Sequence, residues 1–368
     1  MEIGELIRDL RKARGWSQGR LASAVNEAYG TTLTREYVSN WECSKVKPGG
    51  FYLAALSAVL DVPLAVLENE VQRRTFLTDV AGVAIAPVVA SDLLSAGFAA
   101  RLAGGPSPDA WEAKLSTYGT EYMSMGAADI QRRVSGELVV VQQQLDQPRL
   151  WSVAARLMTL YAKTFPGSDG TKAVEWYRLA AQAADESGDA DTRVWVRGRA
   201  AIALGYEGAS LGVADVLADQ ALAIGSNKPS LGLLNAIYGK AHAAALRGDT
   251  ATAHRLDEQG RRIFDTAGSY EQTSDYAVPY WRLNVFRSLL LARLGDEKGA
   301  VEAQEQARTE LPEELPRFAT HLELHRGLML ARSGDRAGGV AYAETAMAAL
   351  PPEKHSLTLR MLMDEIRA

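Results

Sequence analysis

The chain of 368 residues has a single cysteine, Cys43, so no disulfide can form within it. That fits a reducing compartment. Long apolar runs are also scarce. The strongest, between Val80 and Ala100, is interrupted by Pro87 and Asp92 and rich in Ala and Gly. A membrane span wants about 20 strongly apolar residues. The run follows Arg73-Arg74-Thr75-Phe76-Leu77, which has the look of an export signal. Signal peptides come first in a chain, and more than seventy residues precede this one. Residues 71–108 therefore read as a connector with an Ala/Val-rich helix, ending in a flexible link at Leu102–Pro108.

Familiar catalytic motifs are missing too. No Gly-x-Ser-x-Gly elbow occurs. Gly232 and Gly239-Lys240 are wrongly spaced for a phosphate loop, and no strand precedes them. His321 and His325 share a helix face, but Glu323 is out of place for a zinc protease and no third ligand is apparent. The expectation is no enzyme, no metal and no cofactor.

Net charge is −5, so the chain as a whole is not a polycation that would coat nucleic acid. The charge is uneven. Residues 1–50 carry eight Lys/Arg against six acids, a balance of +2, which leaves −7 for the remainder. A basic head on an acidic body points to an anionic partner for the head.

That head reads as four helices. Ile3, Leu6, Ile7 and Leu10 recur at helical spacing, and Gly15 ends the run. Ser17 is placed to cap a second helix with Leu21, Ala22 and Val25 on its apolar face. Thr34 opens a third helix, in which Val38 and Trp41 face inward while Arg35, Glu36, Tyr37, Ser39 and Asn40 mostly point outward. Lys45 and Lys47 follow in a turn closed by Pro48-Gly49-Gly50. A fourth helix from Phe51 to Leu60 adds Leu53, Leu56, Val59 and Leu60 to the core.

Ser17-Gln18, Leu21-Ala22 and the run Thr34-x3-Val38-Ser39-Asn40-Trp41-Glu42 resemble the helix-turn-helix of the lambda-repressor/Cro-like (XRE) family, over about residues 3–68. The connection between helices two and three is longer than that family's tight turn. The resemblance implies that the third helix enters the major groove of double-stranded DNA. Arg35 then suits guanine, Asn40 adenine and Glu36 cytosine. Thr34, Tyr37 and Ser39 share that surface. Gln18, Lys45 and Lys47 suit phosphates, which position without specifying. Cys43 lies beside this surface; a bystander thiol is weighed against a redox-sensitive one.

From Asp109 onward no strand alternation appears, and helical segments of 12–20 residues are split by Gly-Asp, Pro-Gly or Gly-Ser breakers. Small residues seven apart mark alternate helices: Ala173/Ala180, Ala214/Ala221, Ala253/Gly260, Ala300/Ala307 and Gly339/Ala346. Successive starts differ by 41, 39, 47 and 39 residues. In three cases a Gly-Asp lies five residues ahead: Gly248-Asp249, Gly295-Asp296 and Gly334-Asp335. A helix–turn–helix period near 40 residues signs an α-solenoid, which a helix at 356–367 would cap.

The pattern resembles tetratricopeptide repeats, in elongated form. The predicted fold is therefore all-α, a helix-turn-helix bundle (1–70) and a connector (71–108) leading to a tetratricopeptide-like solenoid (109–368). The first helices, near 148–163, 191–206, 230–246, 278–293 and 317–332, would line the concave face. They carry Trp151, Arg193, Trp195, Arg197, Arg199, Asn235, Tyr238, Lys240, Tyr280, Arg282, Asn284, His321 and His325. Arg193, Arg197, Asn235, Tyr238, Tyr280 and Asn284 are the candidate ligand contacts, since carboxamides hold peptide backbone and Arg clusters hold carboxylates.

Proteins of this layout include peptide-binding quorum-sensing regulators. The resemblance implies a cytoplasmic, homodimeric transcription regulator whose solenoid senses a peptide or small molecule. The competing reading is an interaction scaffold that docks a partner protein and uses the head as a DNA tether.

Overall fold

The computed structural model describes residues 3–14, 16–60, 67, 95, 97–165, 170–226 and 228–368. The connector helix expected within 72–104 and the helix end expected at Gly15 fall largely outside these. Contacts divide the chain into two units, Met1–Leu94 and Ser95–Ala368. No strand occurs among the described residues. No helix among them is long and apolar enough to cross a membrane.

The first unit holds α1 (Ile3–Ala13), α2 (Gln18–Tyr29), α3 (Arg35–Glu42) and α4 (Gly50–Val59). Its core is the expected one: Leu6, Ile7, Leu21, Val25, Val38, Leu56 and Leu60 have no exposed surface, and Trp41 almost none. Leu53 and Val59 pack at its edge, only half-buried. Ser17 accepts from the Arg20 amide, as an N-cap should. Thr34 sits at the N-cap position of α3 but its hydroxyl makes no capping bond.

In the second unit, a helical stretch at 97–103 precedes α5 (Pro108–Ser124) and α6 (Ala127–Gln142). Antiparallel pairs follow: α7 (Pro148–Ala162) with α8 (Gly170–Glu186), α9 (Ala190–Glu207) with α10 (Leu211–Gly225), and α11 (Leu231–Leu246) with α12 (Thr250–Ala267). Two more complete the run, α13 (Tyr280–Leu294) with α14 (Glu297–Glu310) and α15 (Pro316–Arg332) with α16 (Arg336–Ala349). The closing helix, α17 (Leu357–Arg367), packs on α15 and α16 and reaches α9. The five expected first helices are therefore α7, α9, α11, α13 and α15.

The sequence markers have direct structural causes. Gly248, Gly295 and Gly334 take positive φ of 79°, 74° and 105°, a region that suits glycine. Each following aspartate caps the next helix by accepting from the amide three residues on, at Thr252, Gly299 and Gly338. Gly188-Asp189 does the same at the start of α9. Most of the small residues seven apart are buried where paired helices touch; Ala173 and Ala346 are only half-buried. A closer approach joins the first helices α9 and α11. A Cβ on Gly198 would run into the Gly232 carbonyl, and one on Gly205 would lie 2.5 Å from the Gly239 carbonyl.

Two segments differ from expectation. The link at 102–108 is pinned, because Gln144 Nε2 donates to the carbonyls of Gly104 (2.8 Å) and Pro106 (3.1 Å). Gln144 Oε1 accepts from the fully buried Trp111 indole. The long 47-residue step holds a non-helical segment, 268–279, between α12 and α13. It runs inward: Ser274, Asp275, Ala277 and Val278 are buried, and the Asp275 amide donates to Gly119 on α5. On α15, Arg317 donates to the carbonyls of Tyr122 and Met123 on α5, so the last helix pair meets α5, near the start of its own unit.

Candidate nucleic-acid interface

α3 leaves Arg35, Glu36 and Tyr37 exposed along one side, with Ser39 and Asn40 half-buried. Val38 and Trp41, three apart, turn the opposite side into the core. After α3 the chain folds back, Lys45 and Val46 amides donating to the Asn40 carbonyl, with Ser44 at φ 54°. Lys45, Lys47 and Cys43 are exposed in this turn.

α3 is fixed by a buried ion pair. Arg11 on α1 grips Glu42 in a bidentate contact, Nε to Oε1 at 2.6 Å and Nη2 to Oε2 at 2.8 Å. Arg11 Nη1 also donates to the Trp16 carbonyl at 2.6 Å, and Gln18 Nε2 donates to Glu42 Oε2 at 2.9 Å. One carboxylate thus ties α1, the start of α2 and the end of α3. Burial alone would raise its pKa, but the hydrogen bonds from Arg11 and Gln18 hold it below the ordinary value. α1 also lies so close to α3 that a Cβ on Gly4 would collide with the Trp41 carbonyl.

The long connection from α2 to α3 is equally well held. Gly30 caps α2 at φ 63°. Asn26 Oδ1 accepts from Thr31 Oγ1 (2.6 Å) and the Leu33 amide (2.7 Å), and Asn26 Nδ2 donates to the Leu33 carbonyl (2.8 Å). Leu33 fills the core below. The extra residues therefore leave α3 with a defined position.

Residues 7–67 match the Helix-turn-helix family HTH_3. The N-terminal unit is a helix-turn-helix domain. Among solved structures, the crystal structure of Bacillus thuringiensis PlcR in complex with the peptide PapR7 and DNA is similar over 72% of this chain and 94% of that one, at 15% identity and a TM-score of 0.36. No curated protein matches the chain.

In this helix-turn-helix domain, α2 and α3 are the two helices that give the motif its name, and the second of such a pair is the one that reads base edges. The exposed side of α3 thus brings together Arg35, Glu36 and Tyr37, with Thr34 exposed at its start and Lys45 and Lys47 just past its end. Gln18 differs from expectation in one respect: its amide is committed to Glu42. The residues that sequence reasoning missed, Arg11, Glu42 and Asn26, position α3 rather than face outward.

In the second unit the six expected ligand contacts do not assemble. Tyr238 is fully buried and donates to Asp257 at 2.8 Å. Asn284 is fully buried, donating to the Tyr280 carbonyl and accepting from Arg287. Asn235 is buried with Oδ1 unpartnered. Arg193 and Arg197 both pair with Asp185, at 2.7 and 2.6 Å. Tyr280 lines a surface recess with Phe264 and Glu310. The physical reason is packing: each first helix is covered by its own partner and by neighbouring first helices, so polar residues on it are drawn into the interior.

Two other clusters form there. In one, Tyr206 Oη lies 2.9 Å from His325 Nε2 and 3.4 Å from His321 Nδ1, while Ser288 Oγ meets His325 Nδ1 at 2.9 Å. Nearby, Arg293 contacts His242 Nδ1 at 3.1 Å, donates to the Tyr206 carbonyl and holds Glu365 on α17. Burial pushes all three imidazoles down, His321 to about 3. In the other, Arg199, Arg282 and His321 from the wider first-helix set meet Lys163 and Arg317 around a cleft.

Proposed function

We propose that the chain is a sequence-specific DNA-binding transcription regulator that acts as a homodimer, with its helix-repeat unit sensing a peptide or small molecule. The DNA-binding part is placed in residues 1–70, joined through 71–108 to the repeat unit at 109–368, in a cytoplasmic protein with no membrane or catalytic role. One observation carries the reading. A helix-turn-helix domain presents Arg35, Glu36 and Tyr37 outward on a helix that the Arg11–Glu42 pair locks in place.

Two such domains on half-sites about 34 Å apart would supply affinity and operator symmetry. A ligand regulates by binding the DNA-competent and DNA-incompetent states with different affinities. Fluorescence anisotropy with selected duplexes tests the DNA part. Binding that distinguishes one sequence from scrambled DNA at physiological salt supports it. Equal, salt-sensitive binding to every duplex would overturn it.

A further inference from the structure

The inward segment 268–279 delivers one carboxylate, Asp275, to three cations. Its Oδ1 receives Lys163 Nζ at 2.5 Å, Arg199 Nη2 at 2.9 Å and Arg282 Nη2 at 2.8 Å. All four side chains are more than nine-tenths buried. Burial and the nearby Arg199 push the pKa of the Lys163 ammonium well below its ordinary value, but the two guanidiniums against one carboxylate still leave a buried excess of positive charge, which is costly without a counter-ion. Arg317 adds a fourth cation on the same cleft, above the ring of Tyr122. Glu207 is the acid that lines it, accepting from Thr358. Counted as ionised, it still leaves the group net positive.

The arginines are also incompletely bonded. Arg199 Nε and Arg282 Nε are buried with no partner, although buried N–H groups are nearly always satisfied. Both residues line the cleft; Asp275, whose Oδ2 is also unpartnered, does not. The cleft encloses about 80 Å³ and is open to solvent on one side. A dry cavity of ~150 Å³ accepts a benzene ring, so this one admits a head group, with the rest of a ligand in the mouth. Ile202, Val285, Phe286 and Phe318 give it apolar walls.

We propose that this cleft is a binding site for a small organic carboxylate. The carboxylate meets the guanidinium groups of Arg199, Arg282 and Arg317 beside the amine of Lys163, and a short hydrocarbon body lies against Phe286 and Phe318. The apolar walls favour such a ligand over inorganic phosphate, which shares only the charge. The site gives the sensing half of the proposed function a ligand class, and rests on that reading for its regulatory meaning alone.

The test is calorimetric titration and thermal unfolding of the full chain at fixed ionic strength, without DNA. The probes are benzoate, benzamide and inorganic phosphate. Benzoate binds and raises the melting temperature of the repeat unit, phosphate binds more weakly, and benzamide, with the same ring and no charge, binds at least tenfold more weakly than benzoate. Arg317→Gln, a half-buried position that should fold, weakens benzoate about tenfold, as does Lys163→Gln where it folds. Absence of benzoate binding, equal binding of benzamide, tighter binding of phosphate, or unchanged affinity in Arg317→Gln would each overturn the proposal. Because no DNA is present, failure here leaves the DNA-binding reading standing.

Discussion

Glu42→Ala leaves Arg11 buried and unpaired, and that should cost the helix-turn-helix domain most of its stability. The two side chains are 3% and 10% exposed, so water cannot replace the lost partner well. Removing one member of a buried pair costs about 3–5 kcal/mol. A domain of this size has roughly 3–9 kcal/mol in all, at ~0.05–0.15 kcal/mol per residue. At about 4–8 °C per kcal/mol, its melting temperature should fall by more than about 10 °C. Differential scanning calorimetry of the full chain reads this, with the repeat unit's transition as an internal control. Arg11→Met/Glu42→Leu should recover most of the loss, because no charge is left unpaired. The pair also carries a pH signature. Glu42 is held below its ordinary value of 4.5, so its contribution is present above that pH and is lost as pH falls beneath it. A single-variant effect below about 1 kcal/mol, or a double variant no better than the single, would refute the reasoning.

Three further outcomes follow from the same geometry. On a selected operator, Arg35→Ala and Asn40→Ala should each relax one base position by about 1–3 kcal/mol, while Lys45→Ala or Lys47→Ala weakens all sequences alike and lowers the salt slope by about 1; competition binding across base variants separates the two classes. His242, His321 and His325 are neutral in the fold with depressed pKa values, so unfolding takes up protons below the ordinary 6.5. Repeat-unit stability should be level above that pH and drop below it by roughly 1.4 kcal/mol per pH unit for each histidine; denaturant titrations at pH 7.5 and 5.5 check it, and a flat profile contradicts it. Gly198→Val should force α9 off α11 and cost about 1–3 kcal/mol or more by overpacking, measured by chemical denaturation against a control at an exposed position such as Glu258→Ala.

Much of the architecture was legible because it rests on local rules. Cap residues, helical spacing of Leu and Ile, and Gly-Asp turns act within a few residues, and they placed the four head helices and the five first helices within about two residues. The ion pair of Arg11 and Glu42 was harder, since its members are 31 residues apart. One signal existed: Glu42 lies four residues after the inward Val38, and an acid on a core face demands a cation. Asn26 gave no signal, because its role exists only once the α2–α3 connection has closed on it. The candidate ligand residues do not come together for a different reason. In a stack where both sides of a first helix are covered, polarity does not mark a surface, and Tyr238 and Asn284 finished inside. The 47-residue step was visible as an irregularity, but its direction was not. Only the fold shows that the added residues carry Asp275 into the interior.

The most direct measurement is selection of a random-sequence duplex library on the purified full chain at near-physiological salt, followed by sequencing. The account predicts enrichment of one motif arranged as an inverted repeat, with half-site centres about 10 base pairs or a multiple apart, and a preference relaxed at one position of each half-site in Arg35→Ala. A library recovered without a motif, with binding that merely tracks salt, would contradict it.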